Sequence, residues 1–326
     1  MPGLVAIVGA TGTGKTRLSL DLASALVESG RRAEIVNADA MQLYRGMDIG
    51  TAKVPLADRR GIAHHQLDVL DVTQEASVAA YQRYARGDVS GIRSRGRHPI
   101  VVGGSGLYVR ALLDALDIPP TDPVVRRRIE EYADEVGTGV VYAELVARDP
   151  QAAAAVEPNN RRRIVRALEV IELTGRPFSA TMPRREFVHP TIVLGLLPSR
   201  EVLDRRIARR VERMWADGLL DEVRGLEAHG IRSGRTARTA IGYAQALAHQ
   251  RVLDHEAPGG RRGGPGPAEA VIEQADQFAV PGAVPLEHEG GHHDLPPAVH
   301  LANAVLVVDR HVVVVGDVGA FAAHGV

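Results

Sequence analysis

The hydrophobic positions of this chain follow two patterns that alternate along most of its length. Four short apolar runs, each followed by glycine or polar residues, are typical of strands that are buried on both faces. Between these runs, apolar residues recur at the three- and four-residue spacing of helices. The alternation predicts an α/β fold with a parallel sheet. The predicted strands are residues 4–8, 33–37, 99–102 and 191–197.

The strand pattern is interrupted between residues 116 and 190, where only helical spacing is found. Helices are predicted there at 123–136, 139–148 and 159–174, and in the remainder at 16–29, 77–95 and 199–227. We therefore predict a core formed by residues 1–115 and 191–250 with an inserted helical subdomain at 116–190. Residues 251–326 are predicted to form a partly disordered tail, rich in glycine and proline up to about residue 297. Near its end, 304–308 and 312–315 have the pattern of a hairpin.

A glycine-rich segment follows the first predicted strand and fits G-x-x-x-x-G-K-[ST]. Its backbone N–H groups and the N-terminus of the following helix form a site for phosphate. We therefore expect a P-loop NTPase-like parallel sheet with helices on both faces. Lys15 is expected to reach the outer phosphates and the Thr16 hydroxyl to ligate Mg²⁺. The predicted diphosphate- or nucleotide-binding residues are Gly9, Ala10, Thr11, Gly12, Thr13, Gly14, Lys15 and Thr16.

Two polar segments follow the second and third predicted strands, at the sheet edge where open α/β folds bind their ligands. Asp39 lies in the first and is our candidate for a general base. The alternatives for Asp39 are a helix N-cap or an acid that contacts the waters around Mg²⁺. Ser105 lies in the second segment, in a glycine-rich turn. A nucleophilic role for Ser105 is not favoured, because the G-x-S-x-G pattern and a His/acid pair are missing.

The charge distribution changes this picture in one respect. The formal net charge is −1, but the tail after residue 250 is acidic and the preceding body is mildly basic. Arginine triplets at 126–128 and 161–163 lie in the inserted region, where a solvated surface and a contact with an RNA backbone are both open interpretations.

The only lysines are Lys15 and Lys53, and Lys53 is either functional or a solvated loop residue. His64 and His65 are predicted to be loop residues.

Composition also limits the classes of protein. The chain has no cysteine, which excludes disulfides and thiolate metal sites. It has no apolar stretch of membrane-spanning length. We therefore expect a soluble, cytoplasmic protein.

Several longer motifs resemble those of the tRNA dimethylallyltransferase (isopentenyltransferase) family. They are GATGTGKT, NADAMQLYRGMDIGTAK, HHQLDVLD, GGSGLYVRALL, PNNRRRIVRALEVIELTGRPFS, RIARRVERMWADGLLDEV and TARTAIGYAQAL, which together cover roughly residues 3–250. The resemblance implies transfer of a dimethylallyl group from dimethylallyl diphosphate to N6 of the adenosine just 3′ of a tRNA anticodon. It also implies that the inserted subdomain binds the anticodon stem-loop.

The resemblance assigns roles to individual residues. Asp39 corresponds to the general base, Ser105 to a residue beside the target nucleotide, and Lys15 and Arg210 to the diphosphate clamp, with Mg²⁺ on Thr16. The segment around the base, Asp39, Ala40, Met41 and Gln42, is expected to contact tRNA together with Ser105. In the inserted subdomain the family's tRNA-binding positions correspond to Arg126, Arg162, Arg163, Ile164, Val165 and Arg166.

Two features of the sequence depart from the family. Ala40 stands where the family usually has serine, and the family's T-R-x-x-A-x-R-Q and W-F-R motifs are missing after residue 250. The expected partners are tRNA and dimethylallyl diphosphate, with no membrane, and we expect a monomer. The alternatives are a P-loop small-molecule or nucleoside kinase, because the same loop binds ATP, and a non-catalytic tRNA-binding remnant.

Overall fold

The computed structural model describes residues 3–181, 186–255, 303–308 and 311–316. It divides into two compact units, a first unit of Met1–Leu112 with His189–Val326 and a second unit of Leu113–Val188. These bounds lie a few residues from the predicted limits of the inserted subdomain, 116 and 190. Of the predicted partly disordered tail, residues 256–302, 309–310 and 317–326 lie outside the described residues.

A seven-stranded sheet forms the centre of the first unit. Its strands are β1 (Leu4–Gly9), β2 (Ala33–Asn37), β3 (His64–His65), β4 (His98–Gly103), β5 (Thr191–Leu196), β6 (Asn303–Val308) and β7 (His311–Gly316). Their order in the sheet is β3-β2-β4-β1-β5-β6-β7. The first five strands in this order are parallel to one another, whereas β6 is antiparallel to both of its neighbours, β5 and β7. The predicted α/β fold and the predicted hairpin of β6 and β7 are confirmed.

Strand β1 lies inside the sheet, where Ala6 pairs with Val101 of β4 and Val193 of β5. Ala6 and Ile7 are fully buried, because a strand in this position is covered on both faces. This explains why its sequence is apolar without alternation. The carboxyl end of β1 therefore delivers the phosphate loop to the middle of the sheet edge.

Ten α-helices complete the described part of the chain. The helices of the first unit lie on both faces of its sheet. For example, the α1 side chains Leu18, Leu20 and Ala23 share a hydrophobic cluster with Ile7 and Ile35 of the sheet. The helices are α1 (Lys15–Glu28), α2 (Val78–Ser94), α3 (Gly106–Leu113), α4 (Pro123–Val136), α5 (Thr138–Arg148), α6 (Pro150–Ala155), α7 (Arg161–Thr174), α8 (Arg200–Ala216), α9 (Leu219–Ala228) and α10 (Tyr243–His255).

One predicted helix is divided in the structure. The sequence predicts a single helix over 199–227, but α8 ends before Gly218 and α9 begins after it. Gly218 has φ 94°, a left-handed conformation that glycine adopts without the steric cost of a Cβ. Short 3₁₀ helices lie at Met41–Leu43, Leu56–Arg59, Phe178–Thr181, Ile231–Ser233 and Ala237–Thr239.

The second unit consists of helices α4 to α7 around its own apolar core. Its helices begin at side-chain caps: Asp122 accepts hydrogen bonds from Val124 and Val125 N–H, and Asn160 accepts one from Arg163 N–H. The core includes Ile129, Val141, Leu145, Ile164, Val165 and Leu168. No helix in the described ranges is long and apolar enough to cross a membrane.

Candidate active site

The phosphate loop connects β1 to α1 through three glycines with positive φ. Gly9 has φ 154°, Gly12 has φ 82° and Gly14, the residue before α1, has φ 97°. The loop is closed from inside by Ala10 O, which accepts hydrogen bonds from Thr13 Oγ1 at 2.9 Å and from Lys15 Nζ at 2.6 Å. A glycine-rich loop of this conformation at the start of a helix is suited to bind an anion.

The ammonium group of Lys15 is partly removed from water. Burial lowers its pKa to about 8, a shift that the nearby Asp39 carboxylate opposes and the Arg210 guanidinium supports. Burial also lowers the pKa of Arg210, again opposed by Asp39. Lys15, Asp39 and Arg210 therefore lie within electrostatic reach of one another, although they belong to three distant parts of the sequence.

Close backbone contacts bring the ends of β1, β2 and β4 together. A Cβ on Gly103 would lie 2.3 Å from Ala38 O, and one on Gly104 would lie 2.9 Å from Gly9 O and 3.4 Å from Lys15 Nζ. The two distances to backbone oxygens are shorter than real Cβ contacts allow. Glycine is therefore required here by close packing, and the turn before Ser105 lies directly against the phosphate loop.

The segment around Asp39 is held by side chains on both sides. Asn37 Nδ2 donates to Asp39 O at 3.0 Å, and Asn37 Oδ1 accepts from Asp39 N–H at 3.1 Å. Asp39 Oδ1 accepts from Met41 N–H at 2.9 Å, and Ser105 Oγ accepts from Ala40 N–H at 3.3 Å. The N-cap of the following 3₁₀ helix, Met41–Leu43, is Ala40, so the N-cap alternative for Asp39 is wrong. The second carboxylate oxygen of Asp39, Oδ2, makes no hydrogen bond within the described chain.

Helix α8 covers the phosphate loop from the other side. Ile207 and Leu203 lie within 3.4 Å of where a Gly12 Cβ would be. Arg206 Nη1 donates to Thr13 O at 3.3 Å, and Arg210 Nη2 donates to Thr51 O at 3.1 Å. The structure thus places Arg210, which the sequence predicts in the diphosphate clamp, beside the loop.

Lys53 has a structural role that the sequence left open. Its Nζ donates to Asp48 Oδ1 and Asp68 Oδ1 at 2.6 Å each and to Tyr44 O at 2.8 Å. The side chain is only 3% exposed, so the interpretation of Lys53 as a solvated loop residue is wrong. It holds together two loops that follow β2 and β3.

The prediction that His64 and His65 belong to a loop is also wrong, because they form strand β3. His65 Nε2 lies 2.6 Å from Glu34 Oε2. Hydrogen bonding to Asp88 and Glu34 raises the pKa of His65. In the described residues, no group of three or more His, Asp or Glu side chains is placed to hold a metal ion.

The predicted RNA-binding residues of the second unit separate into three groups. Ile164 and Val165 are 0% and 2% exposed, so their side chains belong to the core of this unit and not to a surface that RNA can reach. Arg126 and Arg166 both bind the fully buried carboxylate of Glu169. Arg162 and Arg163 are exposed and make no ion pair with the described residues.

Glu169 also accepts a hydrogen bond from Asp122 N–H at 2.9 Å, where α4 begins. Arg166 donates in addition to Pro119 O and Pro120 O, at 2.9 Å each. Arg126 and Arg166 therefore join the start of α4 to α7, and any contact with RNA is an additional role.

The sequence analysis missed Glu169, Asn37 and Glu222, although each lies inside a motif that it quoted.

The chain is similar to known proteins over most of its length. A family model described as IPP transferase matches residues 42–264. The chain is 56% identical over 247 residues to a tRNA dimethylallyltransferase of Thermobifida fusca (strain YX), covering 76% of this chain and 77% of that protein. It is 58% identical over 245 residues to a tRNA dimethylallyltransferase of Mycobacterium avium (strain 104), covering 75% and 79%.

Solved structures give the same result. The full-length tRNA isopentenylpyrophosphate transferase of Bacillus halodurans has a TM-score of 0.57 at 36% identity, covering 86% of this chain and 84% of that chain. A eukaryotic dimethylallyltransferase, crystallised acting on tRNA, has a TM-score of 0.70 at 28% identity, covering 86% and 68%. With a family model across most of its length and relatives of this identity, the chain belongs to the IPP transferase family.

Proposed function

We propose that this protein transfers a dimethylallyl group from dimethylallyl diphosphate to N6 of the adenosine 3′ of the anticodon in tRNA. The observation that carries the proposal is the position of Asp39 within electrostatic reach of both Lys15 and Arg210. A phosphate loop alone is equally suited to a kinase. A carboxylate beside the diphosphate site adds a base for a nucleophile that attacks the carbon next to the diphosphate.

The reaction forms one bond and breaks another at the same carbon. The N6 amine attacks C1 of the dimethylallyl group, and the C1–O bond breaks with its electron pair going to the diphosphate. The N6 proton passes to the Asp39 carboxylate, which acts as general base. Because the Met41 N–H fixes Asp39 Oδ1, Oδ2 is the oxygen that we expect to accept the proton.

The leaving group is stabilised by donors that are already in place. We propose that the amides of residues 9–16, the Lys15 ammonium and the Arg210 guanidinium bind the diphosphate. Donors that need no rearrangement stabilise charge as it develops in the transition state.

The family implies Mg²⁺, and the donors near the loop fit this ion. Thr16 is exposed in the first turn of α1, directly after Lys15. Mg²⁺ is commonly held by one or two protein oxygens together with substrate phosphates and water, so a single hydroxyl suffices. When bound, Mg²⁺ would neutralise charge on the diphosphate, and Thr16 is the residue that we propose to hold it.

The target adenine must leave the stacked anticodon loop to reach Asp39. We propose that the Asp39–Gln42 segment and Ser105 contact it, and that Arg162 and Arg163 contact the RNA backbone, since both guanidinium groups lack an acidic partner in the described chain. We further propose that the enzyme acts as a monomer in the cytoplasm, where its tRNA substrate is found.

The deciding experiment combines three assays on the purified protein. The first incubates it with unmodified tRNA, Mg²⁺ and radiolabelled dimethylallyl diphosphate, the second with ATP and candidate acceptors, and the third measures tRNA binding. Label on adenosine supports the transferase. ATP turnover without label on tRNA would identify a kinase, and tRNA binding with neither reaction would identify a non-catalytic remnant.

A further inference from the structure

The side chain of Glu222, on α9, fills a concavity formed by three consecutive backbone N–H groups. Its Oε2 accepts hydrogen bonds from Asp48 N–H at 3.0 Å and Ile49 N–H at 2.7 Å, and its Oε1 accepts one from Gly50 N–H at 3.3 Å. Successive N–H groups that converge in this way form an anion site. Here the anion is supplied by the chain itself, and it fixes the backbone of residues 48–50.

Tyr243, the first residue of α10, completes this contact. Its hydroxyl donates to Glu222 Oε1. Burial and the neighbouring carboxylate raise the pKa of Tyr243, so the hydroxyl remains a donor at neutral pH. A Cβ on Gly50 would lie 2.4 Å from the Tyr243 ring. The loop therefore lies directly on the ring, and only glycine fits at residue 50.

The residue after this loop contacts both predicted substrate sites. Thr51 O accepts a hydrogen bond from Arg210 Nη2 and another from Gln42 Nε2, each at 3.1 Å. Arg210 belongs to the predicted diphosphate clamp and Gln42 to the predicted tRNA-binding segment. Thr51 is 9% exposed, so its carbonyl serves these partners and not solvent. The position of one carbonyl thus sets the direction of two functional side chains.

We propose that Glu222 is a positioning residue for the diphosphate site. By holding residues 48–50, it places the Thr51 carbonyl that orients the Arg210 guanidinium. Glu222 itself touches neither substrate. The inference rests on the proposed function for the role of Arg210, but it concerns binding of the diphosphate and not transfer of the allyl group.

The test measures the affinity of inorganic pyrophosphate by calorimetry. Glu222→Gln keeps the shape of the side chain but replaces an acceptor oxygen by an amide that cannot accept from Gly50 or Tyr243. We expect it to weaken pyrophosphate binding about ten-fold, as expected for a misdirected charged hydrogen bond. The matched control is Asp221→Asn, the same chemical change at the exposed preceding residue, which should bind pyrophosphate like the wild type.

A second comparison separates positioning from general loosening of the fold. In an Arg210→Ala background, Glu222→Gln should add little further loss, because the residue through which it acts is gone. Equal affinities for Glu222→Gln and Asp221→Asn would overturn the inference. An equal fold-loss in both backgrounds would also overturn it, because a merely structural role does not depend on Arg210.

Gly50→Ala provides an independent variant, because it displaces the loop and leaves the Glu222 carboxylate intact. We expect it to weaken pyrophosphate binding as well, and wild-type affinity would contradict the inference. Transfer assays keep the two hypotheses apart. A wild-type protein that binds pyrophosphate but labels no tRNA would remove the proposed function alone, whereas normal pyrophosphate binding by Glu222→Gln would remove this inference alone.

Discussion

Asn37 holds Asp39 at both sides of its backbone, donating to its carbonyl at 3.0 Å and accepting from its N–H at 3.1 Å. Asn37 is 5% exposed, and its own carbonyl accepts a hydrogen bond from the buried Tyr81 hydroxyl at 2.8 Å. Asn37 therefore fixes the backbone of Asp39 itself, and the Asp39 carboxylate adds one hydrogen bond, from Met41 N–H. Chemistry and local structure at residue 39 can consequently be separated by mutation.

Asp39→Asn should abolish most of the transfer activity while the fold and tRNA affinity change little. The amide oxygen still accepts from Met41 N–H, but the side chain no longer takes up a proton. Loss of a general base lowers the rate about 10²- to 10⁴-fold. Single-turnover transfer and filter binding of tRNA measure the two effects. Asp58→Asn, at an exposed carboxylate, is the control, and transfer by Asp39→Asn at nearly the wild-type rate would show that Asp39 is not the base.

The affinity for pyrophosphate should fall as the pH rises through about 8. The lowered pKa of Lys15 means that its ammonium is present below this pH in the free protein and is lost above it. A charged ammonium binds the anion, so the affinity is greater on the acidic side. Because pyrophosphate also titrates, the quantity to plot is the ratio of wild-type to Lys15→Met affinity from calorimetry. A ratio that stays constant across this range would contradict the prediction.

Arg162→Ala and Arg163→Ala should each weaken tRNA binding and flatten its dependence on salt. Each phosphate contact contributes about one unit to the slope of log affinity against log salt concentration. Arg161 is the matched comparison, because its guanidinium already binds Asp134 and Glu130 O; Arg161→Ala should leave the slope unchanged. Filter binding over a salt series gives all three slopes, and identical slopes for Arg162→Ala and the wild type would remove Arg162 from the RNA path.

Arg166→Ala should destabilise the second unit in addition to any effect on RNA. It removes one of the two guanidinium partners of the fully buried Glu169 carboxylate. We expect the free energy of unfolding to fall by about 2–3 kcal/mol, since a buried charge loses part of its compensation. Urea denaturation followed by circular dichroism measures this. The exposed Arg162→Ala, one turn away, should stay within about 0.5 kcal/mol of the wild type, and equal stabilities of the two variants would contradict the prediction.

Much of the sheet could be predicted from the sequence because its strands are apolar on both faces. Strand β3 could not, because it consists of two histidines that pair only with Ile35 and Val36. Helix α4 was predicted at the observed residues, since Asp122 and Pro123 mark its start. The break between α8 and α9 was missed, because a helical pattern of apolar residues continues across Gly218.

The candidate site, like the fold, could be predicted from the sequence only in part. The phosphate loop and Asp39 stand at strand ends, a position that sequence order alone indicates. Glu222 and Glu169 could not be predicted, because most of their donors lie more than forty positions away in the sequence. Nothing local distinguishes such a carboxylate from a solvated one. Only the tertiary structure shows that each is surrounded by donors.

The near absence of lysine has a consequence for chemical labelling. Lys53 is held by two carboxylates and a carbonyl and is 3% exposed, so its amine is shielded from acylating reagents. Lys15 has a pKa of about 8 and is substantially unprotonated, hence nucleophilic, in mildly alkaline buffer. An amine-directed reagent at that pH therefore modifies Lys15 ahead of Lys53. We expect a bound diphosphate to protect Lys15, so that labelling of this amine would measure the occupancy of the phosphate loop.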